Sequence, residues 1–211
     1  MKHYILLLLL ASAFWYCSND EDVVPSNNDR NMFDMPDFSS EEEMKVRRDF
    51  YDATSCYLIF NDSLYYRNIT TPSGSDPECV ILDLKYQVKG TSEDALLRYT
   101  YLKDMKDKEL AAKFAKEKIL PRLAPAFYPY TFFMVDQFYI SKASAWSSGY
   151  DPEVEQSAYA GYNASLVAYK HFYDMDEAAQ YAYSRSVIAI LMTKNYTQVK
   201  DSEYNDFYQY S

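Results

Sequence analysis

Residues 125–140 read Pro-Ala-Phe-Tyr-Pro-Tyr-Thr-Phe-Phe-Met-Val-Asp-Gln-Phe-Tyr-Ile, an aromatic strand approached through prolines. Aromatic and β-branched side chains fit a pleated sheet, and Pro125 and Pro129 sit where a ladder donor is dispensable. Upstream, Leu110, Phe114 and Ile119 recur at helical spacing until Pro121 stops the helix. The many lysines on its other side read as a solvated face. Thr91 and Asp94 start an earlier helical stretch, with Leu97, Tyr101 and Met105 on one side. Before it, Cys79 to Val88 alternates as a strand, and Thr71 to Pro77 is a loop by its turn chemistry. Residues 56–60 form a strand, Asn61-Asp62-Ser63 a tight turn, and 64–67 the returning strand of a hairpin. Ser40 with Glu43 makes a capping box and starts a helix that runs to about Tyr51.

Downstream, a polar loop holds Trp146, Gly149 and Pro152, and Tyr159 to Tyr169 is another strand. Asp174 and Glu177 start a long helix over about Met175 to Asn195, apolar around most of its circumference and therefore expected to be buried. The tail from Lys200 is polar and tyrosine-rich. Helices mixed with hairpins predict an α+β fold of mixed antiparallel strands, in one domain over 39–211. No internal repeat is present.

The amino-terminal segment carries an address. Lys2 and His3 precede the apolar run Tyr4 to Leu10, and small residues follow at Ala11, Ser12 and Ala13. This is the layout of a bacterial export signal, too short to span a bilayer comfortably. Cys17 stands where lipoproteins take up their lipid, although Tyr16 occupies a position that usually holds a small residue. The expected division is a lipoprotein signal at 1–16, a flexible acidic tether at 17–38 and the domain after it. Cys17-Ser18-Asn19-Asp20-Glu21-Asp22 resembles the export signal of Bacteroidetes surface lipoproteins, which implies lipid anchoring on the outer face of the outer membrane. An acyl chain there contributes ~0.8 kcal/mol per buried methylene.

Composition narrows the classes. The net charge of −10 becomes −11 once Lys2 leaves with the signal, so nucleic acid and anionic lipid are poor partners. Twenty-three tyrosines give large apolar area with polar tips, suited to interfaces and to wet core edges alike. Cys56 and Cys79 both fall in expected strands; their spacing suits a disulfide across neighbouring strands and equally two buried thiols.

Catalytic signatures are missing from the sequence. His171 is the one histidine of the mature chain, so neither a His-rich zinc site nor a His-x-x-x-His pair is available. There is no Gly-x-Ser-x-Gly elbow, and four glycines supply no phosphate-cradling loop. No metal or cofactor is therefore expected. The carboxylate pairs Glu153/Glu155 and Asp174/Asp176 are of a kind that binds calcium or hydrolyses glycosides, but acidic loops and helix starts commonly hold such pairs. Asp62-Ser63-Leu64 matches a short O-glycosylation pattern centred on Ser63.

Four stretches carry a family likeness: Tyr57-Leu58-Ile59-Phe60-Asn61-Asp62, Lys118-Ile119-Leu120-Pro121, Phe132-Phe133-Met134-Val135-Asp136, and the helix Tyr183 to Met192. Over roughly residues 40 to 195 the chain resembles the putative zinc-binding metallopeptidase lipoproteins of Bacteroidetes. These often accompany a starch-utilisation-type TonB-dependent transporter and its substrate-binding lipoprotein. The family's His-Glu-x-x-His would fall near Ser186 to Thr193, a stretch with neither His nor Glu. The resemblance thus implies a non-catalytic relative, with no functional residue carried over.

The expectation is an accessory surface lipoprotein of a nutrient-uptake complex, binding a glycan or peptide ligand or the transporter itself. Trp146, Tyr150, Tyr128 and Tyr130, in a polar loop and beside prolines, are the candidate contact residues. The alternatives are a carboxylate-based hydrolase acting on glycans or peptides and a structural or adhesion subunit.

Overall fold

The computed structural model describes residues 31, 33, 39–71, 74–86, 95–144 and 148–198, with the backbone alone at 65–71, 74–79 and 194–198. The chain divides into units 1–31 and 32–211, and the fold below belongs to the second. The expected signal, Cys17, most of the tether, Trp146 and the tail from Lys200 lie outside the described residues. Phe33, inside the expected tether, is buried against the rings of Tyr57 and Tyr130.

Helix α1 spans Glu41–Thr54, and the Glu43 amide donates to Ser40 Oγ (3.2 Å), as its cap sequence predicts. Only half of the capping box forms, because the Glu43 carboxylate turns instead to Ser39 and Lys108. Glu41, Glu42 and Glu43 place negative charge at the positive end of the helix dipole. Ser55 ends the helix in the left-handed region.

Strand β1 (Tyr57–Ile59) does not fold back on β2 (Ser63–Thr71). It runs parallel to β5 (Thr131–Val135), while β2 pairs antiparallel with β3 (Gly74–Ile81). The expected β1–β2 hairpin is thus replaced, and the expected loop at 71–77 lies largely in the β2–β3 pair. Burial explains the change. Leu58, Ile59 and Phe60 are all buried, a continuous apolar run that suits a sheet covered on both faces. β3 ends at Ile81, and Leu82–Tyr86 turns away, so the strand expected to reach Val88 stops short; Val88 itself lies outside the described residues.

The central sheet has the order β1-β5-β9-β8, with β8 at Ala158–Ala160 and β9 at Ser165–Ala168. β5 and β9 are parallel, and β8 and β9 antiparallel. Alternation assigns its side chains to two core layers. Leu58, Phe132, Met134 and Val167 pack with the helices, whereas Ile59, Phe133, Val135 and Leu166 pack with Leu64, Leu82 and Phe138. Each such side chain contributes roughly 1.5–3 kcal/mol relative to exposure.

The aromatic stretch at 125–140 is three elements rather than one strand. Pro125–Phe127 is a 3-10 turn, β5 follows, and a bend at Asp136 leads into β6 (Gln137–Lys142). β6 pairs with β4 (Ala95–Thr100) and β7 (Val154–Glu155) in a second, antiparallel sheet. β4 replaces the helix expected around Leu97. Ala95, Leu97 and Tyr99 turn inward while Leu96, Arg98 and Thr100 are exposed, so period two prevails over helical spacing.

Helix α2 (Met105–Phe114) carries the expected apolar face, widens into a π turn at Ala115–Ile119 and closes as a 3-10 turn holding Pro121. Helix α3 (Glu177–Gln198) begins where Asp176 Oδ1 accepts from the Ala179 amide (2.8 Å). It is buried along one stripe, at Ser184, Val187 and Leu191, rather than around most of its girth. Ala178 and Ala182 are exposed, because the sheet covers a single face. No described helix is long and apolar enough to cross a membrane.

Candidate functional site

Parallel strands β1, β5 and β9 all begin at one end of the central sheet, and a cavity of about 400 Å³ opens there. That volume lies within the range of small-molecule sites. Two chain segments and one helix residue build it. Residues 127–130 lead into β5, residues 160–165 turn from β8 into β9, and Leu191 contributes from α3.

Pro125 and Pro129 hold the first segment. The Tyr128 amide donates to the Pro125 carbonyl (3.1 Å), and the Tyr130 carbonyl accepts from the Tyr57 amide (3.0 Å), pinning the segment to β1. Tyr130 is 54% exposed, yet its ring is braced by Phe33 (5.5 Å) and Tyr57 (5.2 Å). The second segment needs a residue without a side chain. A Cβ on Gly161 would stand 2.3 Å from the Ala164 carbonyl and 2.8 Å from that of Leu84, both backbone. This close approach turns the chain and sets Tyr162, 49% exposed, on the rim.

Tyr128, Tyr130 and Tyr162 line the cavity with Asn163 and Ser165, and among the described residues its lining holds no carboxylate, imidazole, amine or guanidinium. Ring faces, phenol hydroxyls, an amide and a hydroxyl suit a neutral ligand with apolar faces and hydroxyl edges.

Tyr128 and Tyr130 of the four expected contact residues therefore meet at one site. Tyr150 is exposed but bridges Ala143 and does not line the cavity. Tyr162, Asn163 and Ser165 were legible only through Gly161-Tyr162-Asn163, a turn signal inside what the alternation predicts as one strand, Tyr159 to Tyr169.

The remaining candidate residues are engaged elsewhere. Arg98 Nε donates to Glu153 (2.9 Å), Lys170 pairs with Glu155 (2.8 Å), and Asp176 caps α3. Cys56 is a free buried thiol whose Sγ donates to the Thr54 carbonyl (3.6 Å), and burial pushes its pKa up; the Cys79 side chain lies outside the described residues. The Ser63 amide donates to Asn61 Oδ1 (3.0 Å), and Asp62 accepts from the Tyr99 hydroxyl (2.8 Å). Burial, then Asp62, raises the Tyr99 pKa, and the same two causes push Tyr101 up to about 12.

A second polar group lies at the opposite, carboxyl end of β5 and β9. His171 Nε2 stands 3.7 Å from Asp136, and its Nδ1 stands 4.0 Å from both Asp107 and Asp174. Lys170 and His171 adopt successive left-handed conformations (φ 49° and 46°), which cost bulky residues about 1–3 kcal/mol each. Among the described residues, no three His, Cys, Asp or Glu side chains are grouped to hold a metal ion.

Compared with protein-family models, curated proteins and solved structures, the chain matches none.

Proposed function

We propose that this chain is an accessory surface lipoprotein of an outer-membrane nutrient-uptake complex, and that its tyrosine-lined cavity binds ligand without catalysis. The observation that carries the reading is the cavity lining itself, three tyrosines with Asn163 and Ser165 and, among the described residues, no charged side chain. Such a surface binds by stacking and hydrogen bonding. The expected export signal at 1–16 with Cys17 directly after it, the net charge of −10 and the family resemblance over residues 40 to 195 support the cellular setting.

Affinity purification from the native membrane tests that setting. Recovery with a stoichiometric TonB-dependent transporter is the expected result, and recovery alone contradicts it. Cys17→Ala is expected to release the protein from the membrane fraction; unchanged retention would refute the lipid anchor.

A carboxylate-based hydrolase is the second reading. One observation favours it: the group around His171 lies at the carboxyl end of parallel strands, where ligands of parallel sheets commonly bind. Hydrolysis lost in Asp136→Asn would decide for it.

A further inference from the structure

The cavity does not stand alone on its end of the sheet. Tyr51 packs on Tyr57 (ring centroids 4.7 Å apart), Tyr57 on Tyr130 (5.2 Å), and on the far rim Tyr162 packs on Tyr86 (6.1 Å). Tyr130 and Tyr162 both line the cavity, so one row runs Tyr51, Tyr57, Tyr130, cavity, Tyr162, Tyr86. Four of its members, Tyr51, Tyr86, Tyr130 and Tyr162, are at least 40% exposed. The order follows from topology. Tyr57 begins β1 and Tyr130 precedes β5, so the spacing of neighbouring strands sets that step at about 5 Å, while Tyr51 joins from α1 and Tyr162 from the β8–β9 turn.

Resting on the reading that the cavity binds ligand, we propose that the ligand class is a linear neutral glycan, one unit seated in the cavity and the flanking units stacked along the row. Three features select this chemistry. A row of tilted and edge-on tyrosine rings with hydroxyl tips offers both apolar area and hydrogen-bonding groups to repeating units that each present an apolar face and hydroxyl edges. The uncharged lining and the net charge of −10 disfavour nucleic acid and acidic polysaccharide, whose charges would be repelled. An extended peptide is held by a main-chain ladder along a strand edge. The row instead crosses the starts of the strands, where no ladder runs along it.

Calorimetry of the mature chain with gluco-, xylo- and manno-oligosaccharides, graded from mono- to hexasaccharide, tests the proposal. Affinity for one series is expected to rise with length, roughly 3- to 10-fold per stacked ring. Tyr51→Ala and Tyr86→Ala are each expected to lower hexasaccharide affinity by a similar factor. Tyr181→Ala, an exposed tyrosine on α3 away from the row, is expected to leave it unchanged. Thermal melts of the variants separate lost contact from lost folding. Binding of short sugars with no gain in length would overturn the row and leave the cavity. Binding of no sugar in the panel, or of peptides alone, would overturn the glycan class.

Discussion

Replacing Glu43 with Ala is expected to destabilise the folded chain by about 3–5 kcal/mol, the cost of breaking a buried ion pair from one side. Glu43 is 6% exposed and joins elements distant in sequence. It lies in the first turn of α1, accepts from Lys108 Nζ of α2 (2.6 Å), and stands 3.9 Å from Arg47 Nη1. Arg47 is also buried, and its Nε donates to the Leu58 carbonyl of β1 (2.7 Å). Truncating Glu43 leaves two cations beside a desolvated site, with the Lys108 ammonium additionally over the Phe60 ring (5.6 Å). Urea unfolding measures the loss. Adding Lys108→Met to Glu43→Ala should cost less than Lys108→Met alone, because the cation already lacks its partner. A loss below about 1 kcal/mol for Glu43→Ala, the usual value of an exposed pair, would contradict the burial.

Phe172→Ala is the second large effect, expected to cost about 3–5 kcal/mol and to lower Tm by roughly 6–20 °C. Phe172 is fully buried, stacked on Phe114 of α2 (4.2 Å) and edge-on to Tyr173 (5.2 Å). It directly follows the left-handed pair Lys170-His171, so its burial helps to hold that strained backbone. Phe172→Leu, which keeps most of the volume, should cost much less. A differential scan distinguishes them; equal, small losses for both would show that the site collapses around the gap.

Sequence and structure agree where the signal is local. Ser40 caps α1 through its own side chain and Pro121 ends the helical run begun at Met105, so neighbouring residues suffice to place them. The start of α3 is displaced by two residues: Asp176, not the expected Asp174, caps it, because Asp174 closes the preceding 3-10 turn. They part where a distant partner decides. Residues 56–67 carry every local mark of a hairpin, yet β1 gains a fully covered position beside β5, whose residues come far later in the chain. Leu97 and Tyr101 share a helical spacing that Leu97 and Tyr99 also satisfy as a strand, and the second core layer selects the strand. The cavity shows the same division. Tyr128 and Tyr130 stand out through Pro125 and Pro129. Their meeting with Tyr162, and the alignment of Tyr57 beside Tyr130, arises only once β1, β5 and β9 lie parallel.

The most direct test of ligand binding at the tyrosine-lined end is a chemical-shift titration of the mature chain with the oligosaccharide that binds best. Perturbations are expected at 127–130 and 160–165, and they should vanish in Tyr130→Ala/Tyr162→Ala while the spectrum remains that of a folded domain. Perturbations confined to the opposite end, around Asp107, Asp136 and His171, or undiminished in the double variant, would contradict it.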